Sequence, residues 1–115
     1  MVSAARYVPE RGDIVWLMFD PQAGQEQAGR GPALVLSPSA YNRQAGLALV
    51  CPITNQAKGY PFEVALPQSS AVTGVVLADQ LKSADWRARR AQSATKAPAD
   101  VVAEVAAKLR PLLGV

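Results

Sequence analysis

The stretch "GDIVWLMF", residues 12–19, decides how this chain of 115 residues begins its fold. Six consecutive positions are apolar, which is typical of a strand that is covered on both faces. The pair Gly12-Asp13 predicts a turn before the strand. Asp20-Pro21 predicts its end, because a residue before proline is held extended and proline donates no ladder hydrogen bond.

Further short apolar runs follow this strand along the chain. They predict strands over residues 32–36, 47–53, 60–66 and 75–77, and Pro61 places the strand at 60–66 on a sheet edge. Ser37-Pro38 predicts a brief helix with the serine as its cap, and Gly46 closes that helix. The segment "DQLKSADWRARRA", residues 79–91, alternates large and basic residues and predicts a partly exposed strand.

The clearest helix lies at the C-terminus. Pro98 opens it, and Asp100 lies in its first turn near the positive end of the helix dipole. Its apolar stripe recurs at helical spacing and consists of Val102, Val105, Ala106, Leu109 and Leu112. Several short strands with one long terminal helix predict a single domain over residues 1–115, mainly β with helices (α+β), in which a curled sheet or barrel carries the helices.

Composition limits the chemistry more than it limits the fold. The net charge of +3 permits an anionic partner without requiring one. The chain has no histidine, so the usual acid/base residue near neutral pH is missing. Its single cysteine, Cys51, cannot form an internal disulfide and is expected to be buried in a strand. No signal-peptide core and no run of ~20 apolar residues is present, so we expect a cytoplasmic protein that does not enter a membrane.

The stretch "GQEQAGRGPALVLSPSAYN", residues 24–42, places functional groups on a loop in front of a strand. Glu26, Gln27 and Arg30 are its acid, amide and guanidinium. Three glycines, at positions 24, 29 and 31, predict a loop that can move over a substrate.

Three segments together resemble the MazF/PemK family of toxins from toxin–antitoxin systems. They are "GDIVWLMFDPQAGQEQAGRGPALVLSPSAYN", "CPITNQAKGYPFEV" and "VVLADQLKSADWRARRA", in this order. The resemblance implies an SH3-like barrel, a homodimer, and cleavage of single-stranded RNA or mRNA at short sequences without a metal or other cofactor. It also implies inhibition by a cognate, MazE-like antitoxin with an acidic flexible segment.

The resemblance also assigns roles to residues. The family carries a catalytic arginine directly before the proline that ends the loop, and here that position is Gly31. Thr54 matches the second catalytic position, and Glu26 is the loop carboxylate that contributes to activity. Either Arg30 replaces the missing guanidinium, or this chain is a catalytically disabled form.

RNA-binding candidates flank these positions. Gln27 can read a base edge or face water, and Lys58 can bind a phosphate or remain a solvated loop lysine. On the predicted strand of residues 79–91, Arg87 and Arg89 share one face and suit phosphate contacts. Trp86 lies on the other face, and we expect it in the core.

Two other classes of function remain open. One is a non-enzymatic, CcdB-like toxin that binds DNA gyrase, and the other is a plain RNA-binding or protein-interaction barrel. The "EQAG" loop and Thr54 favour the nuclease, and RNA cleavage in the presence of a chelator separates the three.

Overall fold

The computed structural model describes residues 7–19 and 29–115. Within them the elements are β1 (Asp13–Phe19), β2 (Gly29–Val35), α1 (Ser39–Ala45), β3 (Ala48–Thr54), β4 (Glu63–Ala65), β5 (Val75–Leu77), a 3₁₀ turn (Ala78–Gln80), β6 (Lys82–Ala84), β7 (Gln92–Lys96) and α2 (Ala99–Leu113). The strand pairs are antiparallel. The prediction of a mainly β, α+β fold is confirmed.

The strands form one open sheet in the order β4-β5-β3-β2-β1-β7, and β6 pairs with β3 beside this path. The strand predicted over residues 60–66 is β4. It lies at a sheet edge as predicted, but it is shorter than the prediction. The amide of Glu63 donates to the carbonyl of Tyr60 at 3.1 Å, so the chain turns before β4 begins.

Two apolar clusters lie on the two faces of β1 and β2. Ile14 and Leu34 belong to the cluster under α2, whereas Val15 and Ala33 belong to the other cluster. This arrangement explains why every position in the middle of β1 is apolar. Cys51 is fully buried in the first cluster, and burial raises its thiol pKa to about 12.

The stripe of α2 differs in part from the predicted one. Val101, Val105 and Leu109 are the buried positions of this helix, so Val105 and Leu109 are confirmed. Val102 packs against the same cluster while partly buried. Leu112, which lies one turn beyond the last buried position, is 50% exposed.

The start of α1 corrects the prediction that Ser37 is a helix cap. Pro38 occupies the N-cap position, without a side-chain cap bond. The Ser37 hydroxyl instead donates to Asn42 Oδ1 at 2.6 Å and accepts the amide of Leu49 at 2.8 Å. Gly46 ends the helix as predicted, with a φ of +71°.

Of the strand predicted over residues 79–91, only Lys82–Ala84 (β6) forms a strand. After β6 the chain turns, because the amide of Arg89 donates to the carbonyl of Asp85 at 2.9 Å and the Asp85 carboxylate accepts the amide of Ala88 at 3.0 Å. Arg90 then adopts a left-handed backbone with a φ of +57°. The expectation that Arg87 and Arg89 share one strand face is therefore wrong.

The carboxylate of Asp13 connects the segment before β1 to β7. Asp13 is buried, accepts the Tyr7 hydroxyl at 2.5 Å and the amide of Glu10 at 3.0 Å, and pairs with Lys96 at 2.7 Å. Burial alone would raise the pKa of Asp13. The hydrogen bonds from Lys96, Tyr7 and Glu10 outweigh burial, so this pKa is lowered.

Asn42 connects three separate segments from a fully buried position. Its Nδ2 donates to the carbonyl of Pro9 at 2.8 Å and to that of Ser37 at 3.0 Å. Its backbone carbonyl accepts the indole N–H of Trp86 at 2.9 Å. The position of the turn at residues 85–90 therefore depends on α1.

Replacing Asn42 with alanine should destabilise the protein strongly. The change leaves two buried carbonyls and one hydroxyl without their partner and opens a cavity, so we expect a loss of about 2–4 kcal/mol in the free energy of unfolding. Urea denaturation measures this loss. The exposed amide Gln68 is the control, because Gln68→Ala should change the same quantity by less than ~0.5 kcal/mol. Equal effects of the two changes would contradict the role of Asn42.

Candidate functional site

Position 31 lies on β2, not in the loop that the sequence predicted, because the strand begins at Gly29. Gly31 is buried and pairs with Leu17 of β1. On the other side of β2, Ala33 pairs with Pro52 of β3. The β2–β3 ladder extends as far as this pair, so Gly31 and Thr54 each lie two residues beyond its end. The two candidate catalytic positions therefore lie at the same end of neighbouring strands.

Thr54 is the last residue of β3 and is partly buried. Its Oγ1 accepts the amide of Gln56 at 3.1 Å, the local bond that threonine often makes at a strand end. This bond uses an oxygen lone pair, so the hydroxyl hydrogen can still be donated to a ligand.

Gly74 fixes the backbone around Thr54, and sequence reasoning missed it. It has a φ of +116°, and a Cβ at this position would lie 2.3 Å from the Thr54 carbonyl oxygen and 3.0 Å from Asn55 Oδ1. Only glycine combines this backbone angle with so close an approach. The glycine directly before the apolar run of β5 was the available signal.

Arg30 lies on the opposite face of β2 from position 31, because neighbouring residues of a strand alternate. Its guanidinium carbon lies 5.7 Å from the centroid of the Trp16 ring, and its Nη2 donates to Gln92 Oε1. Trp16 in turn pairs with Gln92 on β7. The structure therefore holds Arg30 with Trp16 and Gln92, on the face of β2 opposite to Gly31.

Lys58 follows Thr54 on the loop between β3 and β4. The Glu63 carboxylate accepts the amides of Lys58 and Gly59, each at 3.0 Å. The Lys58 Nζ lies 5.9 Å from the centroid of the Tyr60 ring. The loop is thus fixed by its own strand β4, and Lys58 presents an exposed cation beyond Thr54.

Arg87 and Arg89 lie on the turn after β6. The Arg87 guanidinium carbon lies 4.8 Å from the centroid of the Trp86 ring. The Arg89 Nη1 donates to the carbonyl of Met18 at 3.1 Å, and the Met18 amide donates to the Arg89 carbonyl at 2.9 Å. Trp86 is 5% exposed, which confirms the expected core position.

The remaining predicted residues, Glu26 and Gln27, lie outside the described residues. Across residues 7–19 and 29–115, no group of three or more His, Cys, Asp or Glu side chains is placed to hold a metal ion. In the same part of the chain, no helix has the length and apolarity needed to cross a membrane.

A pocket of about 310 Å³ opens beside Thr54. Its lining includes Trp16, Pro32, Thr54, Asn55, Val72 and Thr73. Across its rim, the Thr73 hydroxyl donates to Asn55 Oδ1 at 3.2 Å. The pocket therefore combines an aromatic wall, an amide and a candidate catalytic hydroxyl.

Gly74→Ala should disturb Thr54 more than an ordinary glycine replacement would. Gly59 is the matched control, since it also has a positive φ of +78° but its Cβ would meet no atom within 4 Å. We expect Gly59→Ala to cost about 1 kcal/mol from backbone strain and Gly74→Ala clearly more, about 2–4 kcal/mol, because the clash adds to the strain. Urea denaturation of both variants measures the loss in the free energy of unfolding. Equal losses for the two variants would contradict a clash between a Cβ at position 74 and Thr54.

Comparison with known proteins gives a consistent result over nearly the whole chain. The family of PemK-like, MazF-like toxins of type II toxin–antitoxin systems matches residues 10–113. The chain is 50% identical over 111 residues to the endoribonuclease toxin MazF of Escherichia coli K12, covering 96% of this chain and 98% of that protein. It is 45% identical over 109 residues to the endoribonuclease toxin ChpB of the same strain, covering 90% of this chain and 93% of that protein.

Solved structures agree with these relatives. The crystal structure of MazF from Deinococcus radiodurans matches with a TM-score of 0.91 and 62% identity, over 96% of this chain and 100% of that chain. A MazE–MazF crystal structure from the same organism matches with a TM-score of 0.86 and 56% identity, over 96% of this chain and 99% of that chain. The chain therefore belongs to the PemK-like, MazF-like toxin family of type II toxin–antitoxin systems.

Proposed function

We propose that this protein is a toxin that cleaves single-stranded RNA as a metal-independent, sequence-specific endoribonuclease, and that Gly31 leaves it catalytically impaired. The names of the E. coli relatives as endoribonuclease toxins support the activity. One observation supports the site: Gly31 and Thr54 each lie two residues beyond the last pair of the β2–β3 ladder, at the same end of neighbouring strands. The impairment follows because glycine offers no side chain there.

The proposed reaction needs no group beyond the RNA, the chain and solvent water. The ribose 2′-hydroxyl gives its proton to water and attacks the adjacent phosphorus, the bond to the 5′ oxygen breaks, this oxygen takes a proton from water, and a cyclic phosphate forms. The protein aligns the sugar with the phosphate and stabilises the charge that develops on the phosphoryl oxygens. Thr54 supplies one donor for this charge. A guanidinium at position 31 would supply a second, with a fork that matches phosphate oxygens.

The position of Arg30 favours impairment over replacement. Its guanidinium is engaged by Trp16 and Gln92 on the other face of β2. To take the place of a side chain at position 31, the Arg30 guanidinium would have to leave both partners. This move costs the interactions that now hold it, so Arg30 is a poor substitute for an arginine at position 31.

Gly31→Arg should restore rapid RNA cleavage. Loss of one preorganised donor typically costs about a hundred- to a thousand-fold in rate, so the variant should gain by that amount. A mixed-sequence RNA, incubated with a chelator present, measures the rate, and the products should end in a cyclic phosphate. Gly31→Met is the matched control, since it adds a long side chain without a guanidinium and should gain nothing.

The opposite pattern would overturn this account of Gly31. If the unmodified chain already cleaves RNA rapidly and Arg30→Ala abolishes cleavage, then Arg30 is the working guanidinium. If neither the chain nor Gly31→Arg cleaves or binds RNA, the nuclease proposal fails, and gyrase binding becomes the function to test.

We also propose a homodimer that an acidic, flexible antitoxin segment inhibits. The net charge of +3 suits an acidic partner, and a MazE–MazF complex exists for the D. radiodurans relative. Light scattering should give twice 12.1 kDa. The antitoxin segment should compete with RNA, and its binding should weaken as salt rises. A monomer mass at micromolar concentration would contradict the homodimer. Simultaneous binding of RNA and the antitoxin segment, without loss of affinity for either, would contradict the competition.

A further inference from the structure

We propose that the pocket beside Thr54 binds one nucleobase of the RNA and that Asn55 selects this base. The inference rests on the proposed function and specifies the substrate at the same site. The pocket measures about 310 Å³, which lies within the range of small-ligand sites. Thr54 belongs to its lining, so the bound base belongs to a nucleotide next to the phosphate that is cut.

The walls of the pocket suit an unpaired base. Proteins read single-stranded RNA by stacking splayed bases on aromatic rings and by hydrogen bonds to the base edges. Trp16 supplies the ring, and Val72 and Pro32 supply apolar surface. The Arg30 guanidinium, 5.7 Å from the centroid of the Trp16 ring, adds a cation beside the same pocket that can meet the phosphate of that nucleotide.

Asn55 is the group that can distinguish bases. Its Oδ1 accepts the hydroxyl of Thr73 at 3.2 Å, so the amide presents its Nδ2 hydrogens to a ligand. A donor favours the carbonyl O4 of uracil or O6 of guanine over the amine N4 of cytosine or N6 of adenine. Asn55 should therefore prefer uracil or guanine to cytosine or adenine.

The side-chain amide of Asn55 is oriented before RNA binds. The bond from the Thr73 hydroxyl to Asn55 Oδ1 orients the amide. Gly74 leaves room for this arrangement, because a Cβ there would lie 3.0 Å from Asn55 Oδ1. A group that is already oriented loses little conformational freedom on binding, so its hydrogen bonds contribute more to selectivity.

A base-preference experiment tests this inference on the full chain. Single-stranded RNA with randomised positions is bound by the unmodified protein, and the bound fraction is sequenced. One position should favour uracil or guanine by roughly fivefold to a hundredfold. Asn55→Asp should reverse this preference towards cytosine or adenine, because a carboxylate only accepts hydrogen bonds. Thr73→Val should weaken the preference for uracil or guanine. Without the Thr73 hydroxyl, Asn55 Oδ1 is free to accept a hydrogen bond from the amine of cytosine or adenine.

Gln68→Glu is the matched control, since it makes the same change of charge at an exposed amide outside the pocket lining, and it should leave the preference unchanged. If Asn55→Asp binds RNA with an unchanged preference, or loses affinity equally for all bases, the inference about Asn55 is wrong while the proposed function stands. If none of these proteins binds RNA, and Gly31→Arg does not cleave it, both proposals fail together.

Discussion

Burial on both faces of β1 and β2 is the constraint from which the rest of the structure follows. Most inner residues of these strands face one of two apolar clusters, so a shift of pairing by one position would place the side chains of each cluster on the wrong face. This requirement fixes which candidate residue lies on which face of β2. Gly31 lies on one face, and Arg30 lies on the other with Trp16. No rearrangement within the ladder can exchange them while both clusters stay intact.

Three candidate RNA-binding arginines are held by contacts within the protein. Arg30 is engaged by Trp16 and Gln92, Arg87 lies over a buried indole, and Arg89 donates to a carbonyl of β1. Cations held in this way lose less side-chain freedom when a phosphate binds. The proposed RNA-binding surface is therefore partly organised by the fold before RNA binds.

The sequence predicted the elements whose periodicity is strong and missed those that depend on single side chains. β1 and α2 follow from apolar spacing, and Gly46 follows from its backbone freedom. The turn after β6 was missed because Asp85 caps it and Arg90, a residue other than glycine, takes a left-handed backbone. β7 was missed because its polar residues carry no alternation, which suits an exposed strand at the end of the sheet.

The candidate site divides in the same way. Gly31 and Thr54 were identified by resemblance, and the structure adds that they lie at the same end of neighbouring strands. The proposed roles of Gly74 and Asn55 depend on contacts between residues that are distant along the chain. A glycine before a strand and an asparagine in a loop are common, so the sequence alone carries only a weak signal for either residue.

The position of Asn42 has a consequence for folding cooperativity. Its partners lie 33 residues before it and 44 residues after it, so these bonds form only when most of the chain is assembled. Contacts at such separation close large loops and slow folding. They also couple the segment at Pro9 to the turn that carries Arg87 and Arg89. Local opening at Asn42 would release both segments in one step, so the basic turn and the start of the sheet belong to one cooperative unit.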